Sequence, residues 1–128
     1  MTATKYALSI GWHPDAPGLP MTAADVRRGL EAAKEKLDKL GYPTDLCLLR
    51  AEPSDMELVE DTLHAKRYDA IVVGAGIRLQ PQHHLLFERI VNIVHARAPQ
   101  ARICFNTTPL DTADAVLRWI SGPEEKAK

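Results

Sequence analysis

This chain lacks most of the features that announce a function. No charge of one sign dominates: 16 Lys and Arg stand against 17 Asp and Glu, for a net charge of −1. That balance gives no reason to expect nucleic acid or an anionic membrane as a partner. No apolar run is long enough to span a bilayer. Residues 1–5 lead straight into a strand-like run, without the apolar stretch of a secretory signal. Cysteine is scarce. Cys47 and Cys104, the only two, each lie inside an apolar strand pattern and read as buried, reduced thiols. Together these absences make a cytoplasmic protein the expectation. There is no internal repeat and no interior linker. No Ser or Cys stands at a strand-to-helix elbow, where a hydrolase nucleophile belongs.

What is present is the composition of one globular domain: 128 residues, 45% hydrophobic and 26% charged. A chain of that size buries a core without disulfides or metals. Strands are predicted over residues 6–11, 45–49, 69–73 and 102–105. The third is apolar throughout its middle, as a strand covered on both faces reads. The first helix starts at Thr22, with Asp25 in the capping-box position, Met21 and Val26 placed as a hydrophobic staple, and Gly41 suited to the C-terminal cap. Val26, Leu30, Ala33, Leu37 and Leu40 form its apolar face. Ser54 and Glu57 mark a second helix by the same capping pattern. A third runs over residues 84–98 and stops before Pro99. A fourth begins near Asp111 or Thr112 and ends at Gly122-Pro123.

Four alternations of strand and helix predict an α/β fold: a three-layer αβα sandwich around a parallel sheet. Right-handed crossovers favour the strand order 2-1-3-4, flavodoxin-like without a fifth strand. The domain spans residues 1–122, and residues 123–128 read as a disordered tail.

In that order the connections reverse direction between strands one and three. A crevice opens there at the carboxyl edge. The loops that meet at it are the most irregular in the chain: Trp12-His13-Pro14-Asp15 and Gly74-Ala75-Gly76-Ile77-Arg78, with Asn106-Thr107-Thr108 alongside. Gly74, Ala75 and Gly76 offer backbone amides that an anion could approach closely. Arg78 supplies a forked cation for phosphate or carboxylate. Asn106, Thr107 and Thr108 supply neutral donors and acceptors. His13 is the one side chain there with an ordinary pKa near neutrality, and so the candidate acid or base. Trp12 is either a ring platform for a ligand or a lid over the core edge.

A purely structural reading of the same residues is also open. In it the glycines serve a tight turn, Arg78 pairs with a carboxylate such as Glu88, and Asn106 caps its loop. Gly74-Ala75-Gly76 is not a dinucleotide fingerprint, because Leu79 stands where the third glycine belongs. There is no P-loop, and no cofactor is implied. His83 and His84 are adjacent and point about 100° apart on a helix, a poor arrangement for a shared metal. Glu88, Asn92 and His95 form a solvent-facing stripe. Trp119, beside Ile120, reads as a core or subunit contact.

The overall pattern resembles flavodoxin-like folds, but their functional residues do not carry over. The loop after strand one is Trp12-His13-Pro14-Asp15-Ala16-Pro17-Gly18, not the Ser/Thr-rich flavin-phosphate loop. Gly74 stands where receiver domains carry a phospho-accepting Asp. Sugar-phosphotransferase IIB domains use a Cys after strand one, which this chain lacks. Val73-Gly74-Ala75-Gly76-Ile77-Arg78, Phe87-Glu88, Cys104-Phe105-Asn106-Thr107 and Arg118-Trp119 together resemble a family of small, uncharacterised bacterial and fungal α/β proteins. That resemblance implies the fold and brings no activity with it. Two functions remain as expectations. One is a site for a small anionic metabolite at the strand ends. The other is a non-catalytic homo-oligomeric interaction module, in its simplest form a homodimer, using the free edges of strands two and four together with Leu117, Trp119 and the Ile77-Arg78-Leu79 segment.

Overall fold

The computed structural model describes residues 4–120. In chain order the elements are β1 (Ala7–Trp12), α1 (Ala23–Lys39), β2 (Thr44–Leu49), α2 (Asp55–Ala65), β3 (Ala70–Val73), the single-turn α3 (Ala75–Arg78), α4 (His84–Arg97), β4 (Arg102–Phe105) and α5 (Thr112–Leu117). Short 3-10 turns at Pro81–His83 and Pro109–Asp111 lead into α4 and α5. The four strands form one parallel sheet of order β2-β1-β3-β4, the order expected from the sequence. The tail expected to be disordered lies outside the described residues.

Strand alternation divides the core into two layers. Leu8, Ile10, Trp12, Ile71 and Val73 face Val59 and Leu63 of α2 and Ile90 and Val94 of α4. Ala7, Ala70, Val72 and Cys104 face Leu37 of α1 and Ala113, Ala115 and Val116 of α5. The central strands β1 and β3 are buried along their whole length, whereas β4, at one edge, is half open. Cys47 and Cys104 are buried and unpaired. Among the described residues no helix is long and apolar enough to cross a membrane.

Local signals explain the helix ends, with corrections. The Thr22 hydroxyl accepts from the Asp25 amide at 3.1 Å. The Asp25 carboxylate turns to Arg28 instead of closing the box. Gly41 follows α1 with φ of 95°, a left-handed conformation that favours glycine. Ser54 makes no capping hydrogen bond. Buried Asp55, the first residue of α2, instead ties the preceding turn: its carboxylate accepts from the amides of Arg50 at 3.0 Å and Glu52 at 3.1 Å. Gly74 to Arg78, expected as an irregular loop, is the α3 turn with Gly74 as its N-cap. Four residues are too few for helical periodicity to show in a sequence. Trp119 does not enter the core: it is 55% exposed.

The turn tied by Asp55 holds Ala51 at φ of 61°. There the β-carbon of an L-residue crowds its own backbone, at a cost of about 1–2 kcal/mol. Ala51→Gly is therefore expected to raise the unfolding free energy by about 0.5–1 kcal/mol, allowing for glycine's greater unfolded entropy. Urea denaturation measures this, and a loss of stability would contradict the assignment of strain.

Candidate functional site

Trp12 ends β1 at the switch point and fills the crevice expected there. Its indole is 7% exposed, and Nε1 donates to the Gly76 carbonyl at 3.0 Å. Its ring lies 4.7 Å from that of His83, tilted by 55°. The two glycines permit this packing. A Cβ on Gly76 would come within 3.1 Å of Trp12 Cδ1, and one on Gly74 within 3.2 Å of the Ile10 carbonyl oxygen. Both positions serve the close approach of α3 to β1. Trp12 is thus the lid over the core edge and not an exposed platform.

The other predicted residues split into two groups. Ala75, Arg78 and Asn106 converge at the ends of β3 and β4. Asn106 is 5% exposed. Its Oδ1 accepts from the Ala75 amide at 2.8 Å, and its Nδ2 donates to Thr112 Oγ1 at 2.9 Å. Thr112 in turn donates to the Pro109 carbonyl at 2.9 Å. Arg78 does not pair with Glu88. Its Nη2 donates to the Asn106 carbonyl at 2.7 Å, and its guanidinium lies 5.3 Å over the Phe105 ring.

Thr107 and Thr108 organise the β4–α5 connection through Asp111, a capping arrangement that was not foreseen. The Asp111 carboxylate accepts from the Thr107 hydroxyl at 2.7 Å and from the amides of Thr107 at 2.9 Å and Thr108 at 3.1 Å. The Thr107 hydroxyl foremost, and then the two amides, hold the Asp111 carboxyl below its ordinary pKa against partial burial.

His13 lies on the far side of β1 from this group. Its amide donates to the Leu49 carbonyl at 2.8 Å, so it extends the ladder toward β2. Its Nδ1 accepts from the Asp15 amide at 3.0 Å, and its Nε2 is 2.9 Å from Arg50 Nη2. A neutral imidazole has one acceptor nitrogen and Arg50 only donates, so its tautomer decides which of the two contacts is a hydrogen bond.

Sequence reasoning missed Arg118. At the end of α5, its Nη2 donates to the Phe105 carbonyl at 2.8 Å. Arg78 and Arg118 therefore hold consecutive carbonyls at the end of β4. Arg28, Arg67 and Arg97 each have an acidic partner, but among the described residues neither Arg78 nor Arg118 makes an ion pair. Arg78 Nε is buried without a hydrogen-bond partner. The only signal in the sequence was a cation at a helix C-terminus, which reads as a complement to the helix dipole.

Among the described residues, no three His, Cys, Asp or Glu side chains are grouped to hold a metal. A surface depression of about 600 Å³ lies beside Glu60, Asp61, Leu63, His64 and Arg97, on α2 and α4 and away from the strand ends. No family model and no curated protein matches this chain. The chemistry of the site is read from these residues.

Two outcomes follow from the hydrogen bonding. Asn106→Ala leaves the part-buried Ala75 amide without its acceptor and is expected to cost about 1–3 kcal/mol of stability. Chemical denaturation without any ligand measures it, and a neutral effect would show that the clamp is dispensable. Asp111, with its folded-state pKa lowered, contributes stability that is complete above its unfolded pKa and is lost as pH falls through the lower folded value. Asp111→Asn is expected to lower stability at neutral pH and to flatten the acid side of the stability profile. An unchanged acid limb would assign acid sensitivity elsewhere.

Proposed function

We propose that this is a cytoplasmic binding domain for a small anion bearing phosphate or carboxylate, held at the carboxyl ends of β3 and β4. The observation that carries the proposal is the buried, unpartnered Nε of Arg78, with Arg118 on the neighbouring carbonyl of the same strand end. Two guanidiniums grip consecutive carbonyls, neither has a carboxylate partner among the described residues, and one has a buried, unpartnered Nε. A guanidinium has five donors in a fork that matches phosphate and carboxylate. A buried donor without an acceptor is costly enough to call for one.

This reading shifts the site from the β1–β3 crevice, filled by Trp12, to the β3–β4 end. Arg78 and the Asn106 carbonyl stay in it, Arg118 joins it, and His13 falls outside it. Gly74, Ala75, Gly76, Thr107 and Thr108 frame it. With the candidate acid–base group across β1 from the arginines, the proposal is binding and not turnover. The large apolar side chains left exposed, Leu79, Leu85, Leu110 and Trp119, favour a second reading, a homo-oligomeric interaction module. Sedimentation over a range of concentrations tests that one, and a monomer throughout would dispose of it.

The anion reading is tested by thermal shift of the wild type and of Arg118→Ala against phosphate, sugar phosphates and dicarboxylates. A ligand at 100 times its Kd stabilises the fold by about 2.7 kcal/mol. Arg118 is exposed, so its removal is expected to leave the fold intact and to weaken binding by about 10- to 100-fold. Arg78→Ala is expected to weaken binding too, and to cost about 1–3 kcal/mol of stability through its contact with the Asn106 carbonyl. Equal shifts in wild type and Arg118→Ala, or none with any anion, would overturn the proposal.

A further inference from the structure

Among the described residues β4 has strand β3 on one side and no strand on the other. The Arg102 amide donates to the Asp69 carbonyl at 2.9 Å, so Arg102 and Cys104 direct their backbone groups toward β3. By alternation Ile103 and Phe105 direct theirs outward. Arg118 already covers the Phe105 carbonyl. Among the described residues the amide and carbonyl of Ile103 and the amide of Phe105 have no backbone partner and form the open edge.

The side chains beside that edge differ on its two faces. Cys104 packs with α5, so Arg102, two residues earlier, lies on the same face, which Arg118 at the end of α5 completes. Ile103 packs with the opposite layer. Phe105 lies on that side too, its ring 5.6 Å from Phe87 and 36% exposed. Among the described residues Arg102, like Arg118, has no acidic partner. One face of the edge therefore carries Arg102 and Arg118, and the other carries the apolar side chains of Ile103 and Phe105, with the Arg78 guanidinium over the Phe105 ring.

We infer that β4 accepts an extended segment of a partner protein, alternating acidic and apolar residues, as a fifth strand. Its carboxylates meet Arg102 and Arg118, its apolar side chains meet Ile103 and Phe105, and its backbone takes the open groups of the edge. A second copy of β4 does not fit this description. Antiparallel pairing about a two-fold axis sets the Arg102 end of one copy against the Arg118 end of the other, like charge against like. Basic residues on an edge strand guard it against pairing in general. Here that guard is selective, since it repels a second β4 and attracts an acidic strand. The inference goes beyond the small-anion site and shares Arg118 with it, while Arg102 belongs to the strand site only.

The test is an NMR titration of the labelled protein with a short capped peptide of alternating Glu and Val, with a Lys–Val peptide as control. The acidic peptide is expected to shift the Ile103 and Phe105 amides, slow their hydrogen exchange, and perturb the Trp119 indole next to Arg118. Arg102→Glu is expected to weaken peptide binding by about tenfold or more while leaving the thermal shift with inorganic phosphate unchanged. Arg102→Gln, which removes charge at similar size, is expected to give a smaller loss. Equal binding of the Lys–Val peptide, shifts that avoid Ile103 and Phe105, or indifference to Arg102→Glu would each overturn the inference. Peptide binding that persists while no phosphate shift occurs would uphold it and remove the small-anion reading instead.

Discussion

The buried side-chain amide of Asn106 is the interaction on which the carboxyl edge depends. A primary amide has an acceptor and a donor at opposite corners, and this one uses both, on the Ala75 amide and the Thr112 hydroxyl. The first bond fastens the α3 turn to the end of β4, and the second fastens α5 to the same point. Neither Asp nor a hydroxyl residue offers that combination in that shape. With α3 and α5 fixed, Arg78 and Arg118 arrive on consecutive carbonyls, and both guanidiniums are oriented before any ligand appears. For the proposed anion site, preorganisation of this kind would lower the cost of binding, because part of the side-chain freedom is lost beforehand.

Glycine and tryptophan act together at the neighbouring switch point. The absence of side chains at Gly74 and Gly76 lets α3 lie against β1, and the Trp12 indole occupies the space where open α/β sheets ordinarily receive their ligands. The consequence is positional. Charge without a carboxylate partner is left one strand further along, at the end of the edge strand β4, where Arg102 and Arg118 lie on one face and Arg78 lies over Phe105 on the other. A small anion and an acidic strand are two chemistries that the same excess of guanidinium can attract, and Arg102 separates them.

Much of this fold is legible in the residues. The unbroken apolar run of β3, the spacing of apolar residues in α4 and the Gly41 cap each belong to a pattern longer or more specific than chance; they yield the alternation of strands and helices, and right-handed crossovers then favour the strand order. Parts of the site are legible as well: Arg78 and Asn106 do meet, and the irregular loops do lie at the carboxyl edge. What the sequence hides is set by contacts across the chain. The α3 turn is shorter than any periodicity. Ser54 makes no cap, and Asp55 ties the β2–α2 turn because that turn brings two amides to its carboxylate. His13 joins Arg50 because its amide continues the pairing with β2. Arg118 looks like an ordinary helix-end cation until α5 is laid across β4. Trp119, apolar beside Ile120, gives no local sign that it stays in solvent.

The central claim is that an anion completes the donors of Arg78. The direct measurement is the Nε–Hε resonance of Arg78, assigned by its loss in Arg78→Ala and followed by NMR as inorganic phosphate is added. The account predicts a saturable downfield shift of that proton and slower exchange with water, both lost in Arg118→Ala. A resonance that does not move at phosphate concentrations that shift other arginines would contradict it, and would make Arg78 a strut of the β4–α5 connection.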